Sequence, residues 1–202
     1  MPALRLPDKP GPAPMVVIES RIPKPEELVV LDKRLLDATI TIGKSLEGCT
    51  NKWAVGGDVA EIICGVNVQP DHVTILTTTR GCDEIDGKLA KYRVAVPAMV
   101  EKKLEREAKI GLKLHPVEIR SYRGQFNVDG SKLDVHGDLQ IKVGDWEWGD
   151  PLDFCPDYVY VVGVKVPVIP LQLKSEIYNG LGWRDRATKI HEAVIRSRHK
   201  FG

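Results

Sequence analysis

The segment from Trp53 to Leu76 constrains the fold more than any other part of this chain. Residues 53–65 read WAVGGDVAEIICG, which is typical of a short strand, a double-glycine turn and an apolar helix. Residues 70–76 read PDHVTIL, and their β-branched side chains predict a second strand over 72–77 with a carboxylate at its start. Strand, turn, helix and strand in this order favour an α/β fold.

Along the chain, segments with helical spacing of apolar residues alternate with segments that have an extended pattern. Helical spacing of apolar residues predicts helices over 25–46, 58–64, 83–92, 97–110, 171–181 and 185–198. Extended patterns and turn residues predict strands over 52–55, 118–122, 125–128, 132–136, 158–162 and 164–168. We therefore expect an extended, proline-rich arm over 1–24 and a single domain over 25–202 that ends in two helices, at about 171–198.

Charge is balanced overall and uneven locally. The formal net charge of +1 does not predict a nucleic-acid partner. Residues 86–124, however, hold ten Lys or Arg against five Asp or Glu, and a basic face of this kind attracts phosphates. Residues 145–157 hold five acids and no base, which predicts an acidic loop. A solvated surface is the alternative interpretation of both runs.

The four cysteines form no C-x-x-C pair and have no zinc-ligand spacing, which favours a reducing, cytoplasmic setting. No apolar run is long enough to predict a membrane span. The glycine turn is neither G-x-G-x-x-G nor G-x-x-x-x-G-K-[ST], so the sequence does not support a dinucleotide-binding fold or a P-loop.

A strand, glycine turn and helix followed by strand-borne carboxylates suit the chemistry of nucleotidyl transfer. Two carboxylates at positions i and i+2 of one strand point the same way, and a third on a neighbouring strand completes a cage for Mg²⁺. Two such cations clamp the attacking and leaving oxygens of the phosphoryl group. A glycine turn before a helix lets backbone N–H groups approach the phosphates.

The chain resembles the nucleotidyltransferase superfamily with the DNA polymerase beta-like fold, in particular the small branch of abortive-infection toxin nucleotidyltransferases. Trp53-Ala-Val-Gly-Gly resembles the glycine motif of that branch, and Gly182-Trp-Arg-Asp-Arg resembles part of its C-terminal helices. The resemblance covers about Leu28 to Arg198. It implies a mixed sheet flanked by helices, with a C-terminal helical segment.

The resemblance also implies roles for particular residues. Asp71, fourteen residues after Gly57, takes the place of the first carboxylate of a D-x-D motif. Asp134, in Lys132-Leu-Asp-Val, takes the place of the third. Asp71 and Asp134 are thus the candidate catalytic residues and the candidate ligands of Mg²⁺ or Mn²⁺.

The nucleotide-binding candidates are Gly56 and Gly57, in the glycine motif, and Arg184 and Arg186, whose guanidinium groups could reach phosphates.

The sequence departs from the family at one decisive position. The second carboxylate of D-x-D falls on Val73, which cannot bind a metal. We expect Val73 to share a strand face with Asp71, and His72 to point the opposite way. The lysine that many relatives carry in the first C-terminal helix has no exact counterpart here, and Lys174 is the lysine nearest to its place. Metal binding is therefore expected to be weak or absent.

Each candidate also has a structural interpretation. Gly56 and Gly57 can simply permit a tight turn, and Asp71 can be a turn residue after Pro70.

The two arginines can belong to a charged helix start rather than a phosphate site. Asp134, His136 and Asp138 alternate along one strand, so they could form a metal site with Asp71 that is independent of the family pattern.

The sequence leaves three functions open. The first is transfer of a nucleotide from a nucleoside triphosphate to an RNA, a protein or a small-molecule acceptor. The second is a catalytically degenerate module that binds a nucleotide or RNA, with or without a protein partner. The third is a purely structural interaction protein. The oligomeric state cannot be read from the sequence.

Overall fold

The computed structural model describes residues 31–199, with side chains described as far as Ile195. The helices of this part are α1 (Lys33–Ser45), α2 (Gly57–Ile63), α3 (Thr79–Lys88), α4 (Leu171–Gly180) and α5 (Arg184–His199). The strands are β1 (Trp53–Gly56), β2 (Val73–Thr77), β3 (Arg93–Lys103), β4 (Ala108–Ile110), β5 (Lys113–His115), β6 (Val117–Val128), β7 (Ser131–Val143), β8 (Asp157–Val161) and β9 (Val164–Val168).

Seven of these strands form one mixed sheet in the order β3-β6-β7-β2-β1-β9-β8. β2 runs parallel to β7 and antiparallel to β1, whereas β1 runs parallel to β9. The predicted fold class is confirmed. The strands predicted over 52–55, 72–77 and 132–136 correspond to β1, β2 and β7, which are consecutive in the sheet.

The larger core lies on one face of this sheet. Val73 and Ile75 of β2 pair with Leu133 and Val135 of β7, and all four side chains are buried in it. α1 and α3 cover this face with their own buried apolar residues, among them Ile42 and Ile85, since each helix carries a narrow apolar stripe.

The opposite face of the sheet carries the site. There the apolar side chains of Ala54 and Leu76 pack against Phe154 and Ile169, with Leu173 of α4 beside them. Because side chains alternate along a strand, residues next to the core positions of β2 and β7 face this second side.

The helix predicted over 97–110 is wrong. Residues 93–103 form β3, which pairs with β6 continuously from Ala98 to Lys103 and across two register shifts between Arg93 and Ala98. Residues 108–110 form the small hairpin strand β4, which pairs with β5. Val100, Leu104 and Ala108 have helical spacing, but the backbone of β3 bonds to β6 instead, so tertiary pairing overrides this pattern.

Most other elements overlap their predicted positions, although α1 begins at Lys33 with Asp32 as its N-cap, and β7 continues to Val143. The helix expected over 83–92 begins earlier, as α3, and continues into a short 3-10 helix at Ala90–Tyr92. The two strands expected within 118–128 are one strand, β6.

Two expectations reach beyond the described part of the chain. The arm over 1–24 lies outside the described residues, as does the first part of the helix predicted over 25–46. No helix among the described residues has the length and apolar character needed to cross a membrane.

Candidate functional site

The double glycine forms a turn that only glycine fits at its second position. Gly56 ends β1, and Gly57 opens α2 with a φ of +57°. A Cβ atom on Gly57 would lie 3.0 Å from Oγ1 of Thr74. The turn is therefore pressed against β2, and its backbone conformation is one that residues with side chains rarely adopt. Lys174 of α4 donates a hydrogen bond to the carbonyl of Gly57.

Four neighbouring strands bring one residue each to the second face of the sheet beside this turn. Asp134 pairs with Thr74 of β2 on one side and with Gln125 of β6 on the other. Thr74 in turn pairs with Gly56. The site therefore forms a row across the sheet from β6 to the glycine turn, with Asp134 as its only carboxylate.

Asp134 is held by two cations. It is 3% exposed, and one carboxylate oxygen accepts from the Arg123 guanidinium at 2.8 Å and from the Gln125 amide at 3.2 Å. The other lies 3.0 Å from Nζ of Lys132. Burial alone would raise the pKa of the Asp134 carboxyl, but the hydrogen bonds from Arg123 and Lys132 outweigh burial and keep that pKa below its usual value.

The expected relation between Asp71, His72 and Val73 is wrong. β2 begins only at Val73, whose side chain is fully buried in the larger core, so position 73 does not face the site. His72 instead turns toward the site: its Nε2 atom lies 3.7 Å from a carboxylate oxygen of Asp134. Its Nδ1 atom contacts Asp71, whose side chain is 91% exposed. This hydrogen bond lowers the pKa of Asp71.

The donor set does not fit a two-metal cage. Magnesium requires several oxygen ligands that are free to coordinate it, yet Asp134 already binds Arg123 and Lys132, and Asp71 sits before the strand against His72. Within the described part of the chain, no group of three His, Cys, Asp or Glu residues is placed to hold a metal ion.

The alternative set of Asp134, His136 and Asp138 does not form either, although β7 does continue past these residues. Asp138 has a φ of +48°, which interrupts the alternation of the strand, and its carboxylate accepts from the backbone N–H of Thr79 at 2.9 Å. His136 is hydrogen bonded to Ser121 at 2.8 Å, and burial lowers the pKa of His136 to about 4.

A buried polar network behind the glycine turn was missed by sequence reasoning. Glu61 of α2 is fully buried, and its carboxylate lies 2.6 Å from Nζ of Lys174 and accepts from the Tyr178 hydroxyl at 2.6 Å. The available signal was a single acid within the apolar run of α2 and a single lysine in α4. A buried charge needs a partner of opposite sign, so each predicts the other.

The two candidate arginines lie in different places. Arg186 reaches the start of α2, where it pairs with Asp58 and comes within 3.7 Å of Glu61. Arg184 is exposed and lines a separate surface depression with Lys109. The structure thus brings Arg186 to the glycine turn and leaves Arg184 on another part of the surface.

This mixed sheet, with a glycine turn between its central strands, is a nucleotidyltransferase fold. A presumed nucleotidyltransferase from Thermotoga maritima is similar in structure, with a TM-score of 0.54 and 23% sequence identity over 77% of this chain and 89% of its own. The lincomycin-bound lincosamide antibiotic adenylyltransferase LnuA is similar at a TM-score of 0.45 and 9% identity, over 77% of this chain and 96% of its own. No protein-family model and no curated protein sequence matches this chain.

Proposed function

We propose that the protein binds a nucleotide through its phosphates, on the face of the sheet beside the glycine turn, without two-metal transfer chemistry. The observation that carries this proposal is the ion pairing of Asp134 with Arg123 and Lys132. In a transferase of this fold the corresponding carboxylate would be free for a cation. Here the cations that meet the carboxylate are side chains of the protein itself.

The same cations suit an anionic ligand. Arg123 and Lys132 sit where a phosphate would compete with Asp134 for them, and a guanidinium binds phosphate in the same geometry as carboxylate. The backbone N–H groups at Gly56 and Gly57 would add donors at the start of α2. Arg186 neutralises Asp58 beside them, which limits the repulsion of a polyphosphate. Arg184 would contact only a ligand that extends to the separate depression beside Lys109.

Metal-dependent transfer remains the second candidate, with Mg²⁺ or Mn²⁺ and a nucleoside triphosphate as donor. One observation favours it: the carboxylates of Asp71 and Asp134 flank the imidazole of His72, so a cation that displaced His72 would meet both. The acceptor would be an RNA, a protein or a small molecule. In either case a cytoplasmic setting, where nucleotides are abundant, suits the activity.

Calorimetric titration with each of the four nucleoside triphosphates, in EDTA and in Mg²⁺, separates the two candidates. If the protein binds nucleotides without a metal ion, at least one of the four triphosphates should bind in EDTA. Lys132→Gln should then weaken binding roughly tenfold, since a charge-assisted hydrogen bond is lost.

Lys113→Gln on the exposed strand β5 is the matched control and should not change affinity. Binding that requires Mg²⁺ would favour the transfer candidate. No binding in either condition would contradict the proposal.

A further inference from the structure

A polar depression lies next to the glycine turn, between α2, the α2–β2 loop and α5. Its volume is about 350 Å³, which falls within the range of small-molecule sites in proteins. The residues that line it are Asp58, Asn67, Val68, Gln69, Arg186 and Lys189. Because Asp58 directly follows Gly57 in the chain, the depression adjoins the place where the phosphates of a nucleotide are proposed to bind.

Asp58 can accept further hydrogen bonds in this depression. Arg186 donates to one of its two carboxylate oxygens, Oδ1. A carboxylate offers about four acceptor positions, so Asp58 retains capacity for a donor on a ligand. The carboxamides of Asn67 and Gln69 are exposed, and each offers both donors and an acceptor.

A buried oxygen behind Arg186 also lacks a donor. The side chain of Glu61 is 1% exposed, and its Oε2 atom has no hydrogen-bond partner among the described residues. The guanidinium of Arg186 lies 3.7 Å from Glu61, beyond hydrogen-bond distance, because it is held by Asp58. A ligand hydroxyl that donated to Asp58 would allow Arg186 to move onto Glu61. Binding of such a ligand would therefore remove the cost of an unpaired buried oxygen.

The lining suits a sugar better than the other two parts of a nucleotide. A phosphate in the depression would meet the carboxylate of Asp58, with that of Glu61 behind it, and Arg186 is already neutralised by Asp58. A base has two flat faces that proteins commonly stack on aromatic side chains, and none of the lining residues is aromatic. Hydroxyl groups both donate and accept, which matches a carboxylate beside two carboxamides.

We propose that this depression binds the ribose of the nucleotide, with Asp58, Asn67 and Gln69 as hydrogen-bond partners of its 2′- and 3′-hydroxyl groups. The inference rests on the proposed binding of nucleotide phosphates beside the glycine turn, and it names the substrate class as ribonucleotides. A site built to hydrogen bond a hydroxyl group rejects an analogue that lacks it, because the polar groups of the site are then left unpaired.

Calorimetric titration of the full chain with the four ribonucleoside triphosphates and their 2′-deoxy counterparts, in EDTA and in Mg²⁺, tests the proposal. The ribonucleotide that binds best should bind roughly tenfold more tightly than its 2′-deoxy counterpart, since a hydrogen bond to a carboxylate is lost. Asp58→Ala should bring this ratio of affinities close to one. Asp37→Ala, on the exposed side of α1, is the matched control and should leave the ratio unchanged.

A second variant keeps the test valid if Asp58→Ala folds poorly. Gln69→Leu changes an exposed side chain of the α2–β2 loop, and it should lower the ratio roughly threefold, as expected for the loss of a neutral hydrogen bond. A ratio near one in the wild type, or a ratio that neither variant changes, would overturn the proposal.

Inorganic tripolyphosphate separates failure of this inference from failure of the proposed function, because it has phosphates and no ribose. If tripolyphosphate binds in EDTA while ribonucleotides and deoxyribonucleotides bind equally well, the phosphate site stands and the ribose site is wrong. If neither tripolyphosphate nor any nucleotide binds, the proposed function is wrong and the ribose site is wrong with it.

Discussion

Lys174 and Glu61 form an ion pair in the interior, with Nζ and Oε1 2.6 Å apart and side chains that are 8% and 1% exposed. The pair joins α4 to α2. Lys174 also donates to the carbonyl of Gly57, so the position of the glycine turn depends on a helix more than a hundred residues further along the chain.

Loss of this lysine should therefore cost far more stability than loss of a surface lysine. Lys174→Met leaves the buried Glu61 carboxylate with only the Arg186 guanidinium, 3.7 Å away, and breaking a buried pair in this way costs about 3 kcal/mol. Lys189→Met, on the exposed side of α5, is the control and should change stability by about 0.5 kcal/mol or less. Urea denaturation followed by circular dichroism measures both; similar values for the two variants would show that the buried pair contributes little.

The glycine turn gives a second stability prediction. Gly57→Ala meets two obstacles, a positive φ and a Cβ position 3.0 Å from Oγ1 of Thr74. Gly130→Ala, in the β6–β7 turn, meets only the first, because its φ is +81° and nothing lies within 4 Å of the added carbon.

The positive φ alone should cost about 1–2 kcal/mol, and Gly57→Ala should exceed Gly130→Ala by the cost of moving Thr74. Thermal and urea unfolding of both variants measure the difference. Equal losses of stability in the two variants would mean that Thr74 of β2 moves away from the added carbon at little cost.

Much of the fold could be predicted because the central elements carry local signals. The alternation of Val73, Ile75 and Thr77, and the glycine pair before an apolar helix, reflect the geometry of single elements. The edge strand β3 carries no such signal. It is exposed along nearly its whole length, so its residues do not alternate between apolar buried and polar exposed positions. Its partner β6 determines its conformation.

The candidate site was harder to predict, because a shift of one residue in where β2 begins changes which side chains face the site. A strand beginning at Val73 turns position 73 into the core and His72 toward Asp134; the sequence does not mark where the strand begins. The bond from Arg123 to Asp134 joins β6 to β7. The sequence of either strand alone does not specify the register in which the two strands pair. The roles of Asp71, Asp134 and the four nucleotide-binding candidates stay predictions.

The dependence of the free energy of unfolding on pH should report the protonation of His136. Burial lowers the pKa of this residue to about 4 in the folded chain, against an unperturbed value of 6.5. Between these two pH values the unfolded chain binds a proton at this residue that the folded chain does not bind, so stability falls as the pH falls through this window. Partial exposure limits the loss to about 2–3 kcal/mol.

His136→Asn should remove most of that pH dependence above pH 4.5, while the loss caused by protonation of carboxylates at lower pH stays. Urea denaturation at intervals from pH 7 to pH 4 measures it. An unchanged slope in the variant would show that another group titrates in this window.

The two candidate functions differ in which cation Asp134 binds: the side chains of Arg123 and Lys132, or a divalent metal ion. Asp134→Asn is expected to give opposite results for the two. If Arg123 and Lys132 are the lasting partners of Asp134 and the ligand is a phosphate that competes with it, Asp134→Asn frees both cations. Nucleotide affinity in EDTA should then rise roughly tenfold, which corresponds to one charge-assisted hydrogen bond. Asp153→Asn, an exposed aspartate paired with Lys52, is the control and should leave affinity unchanged.

Calorimetric titration of wild type, Asp134→Asn and Asp153→Asn with a triphosphate, each in EDTA and in Mg²⁺, is the most direct measurement. If Arg123 and Lys132 are the cations that hold Asp134, Asp134→Asn should bind the triphosphate more tightly without metal, and Mg²⁺ should have little effect on the wild type. Binding by the wild type that requires Mg²⁺ and disappears in Asp134→Asn would contradict this expectation, because that result would make Asp134 a metal ligand.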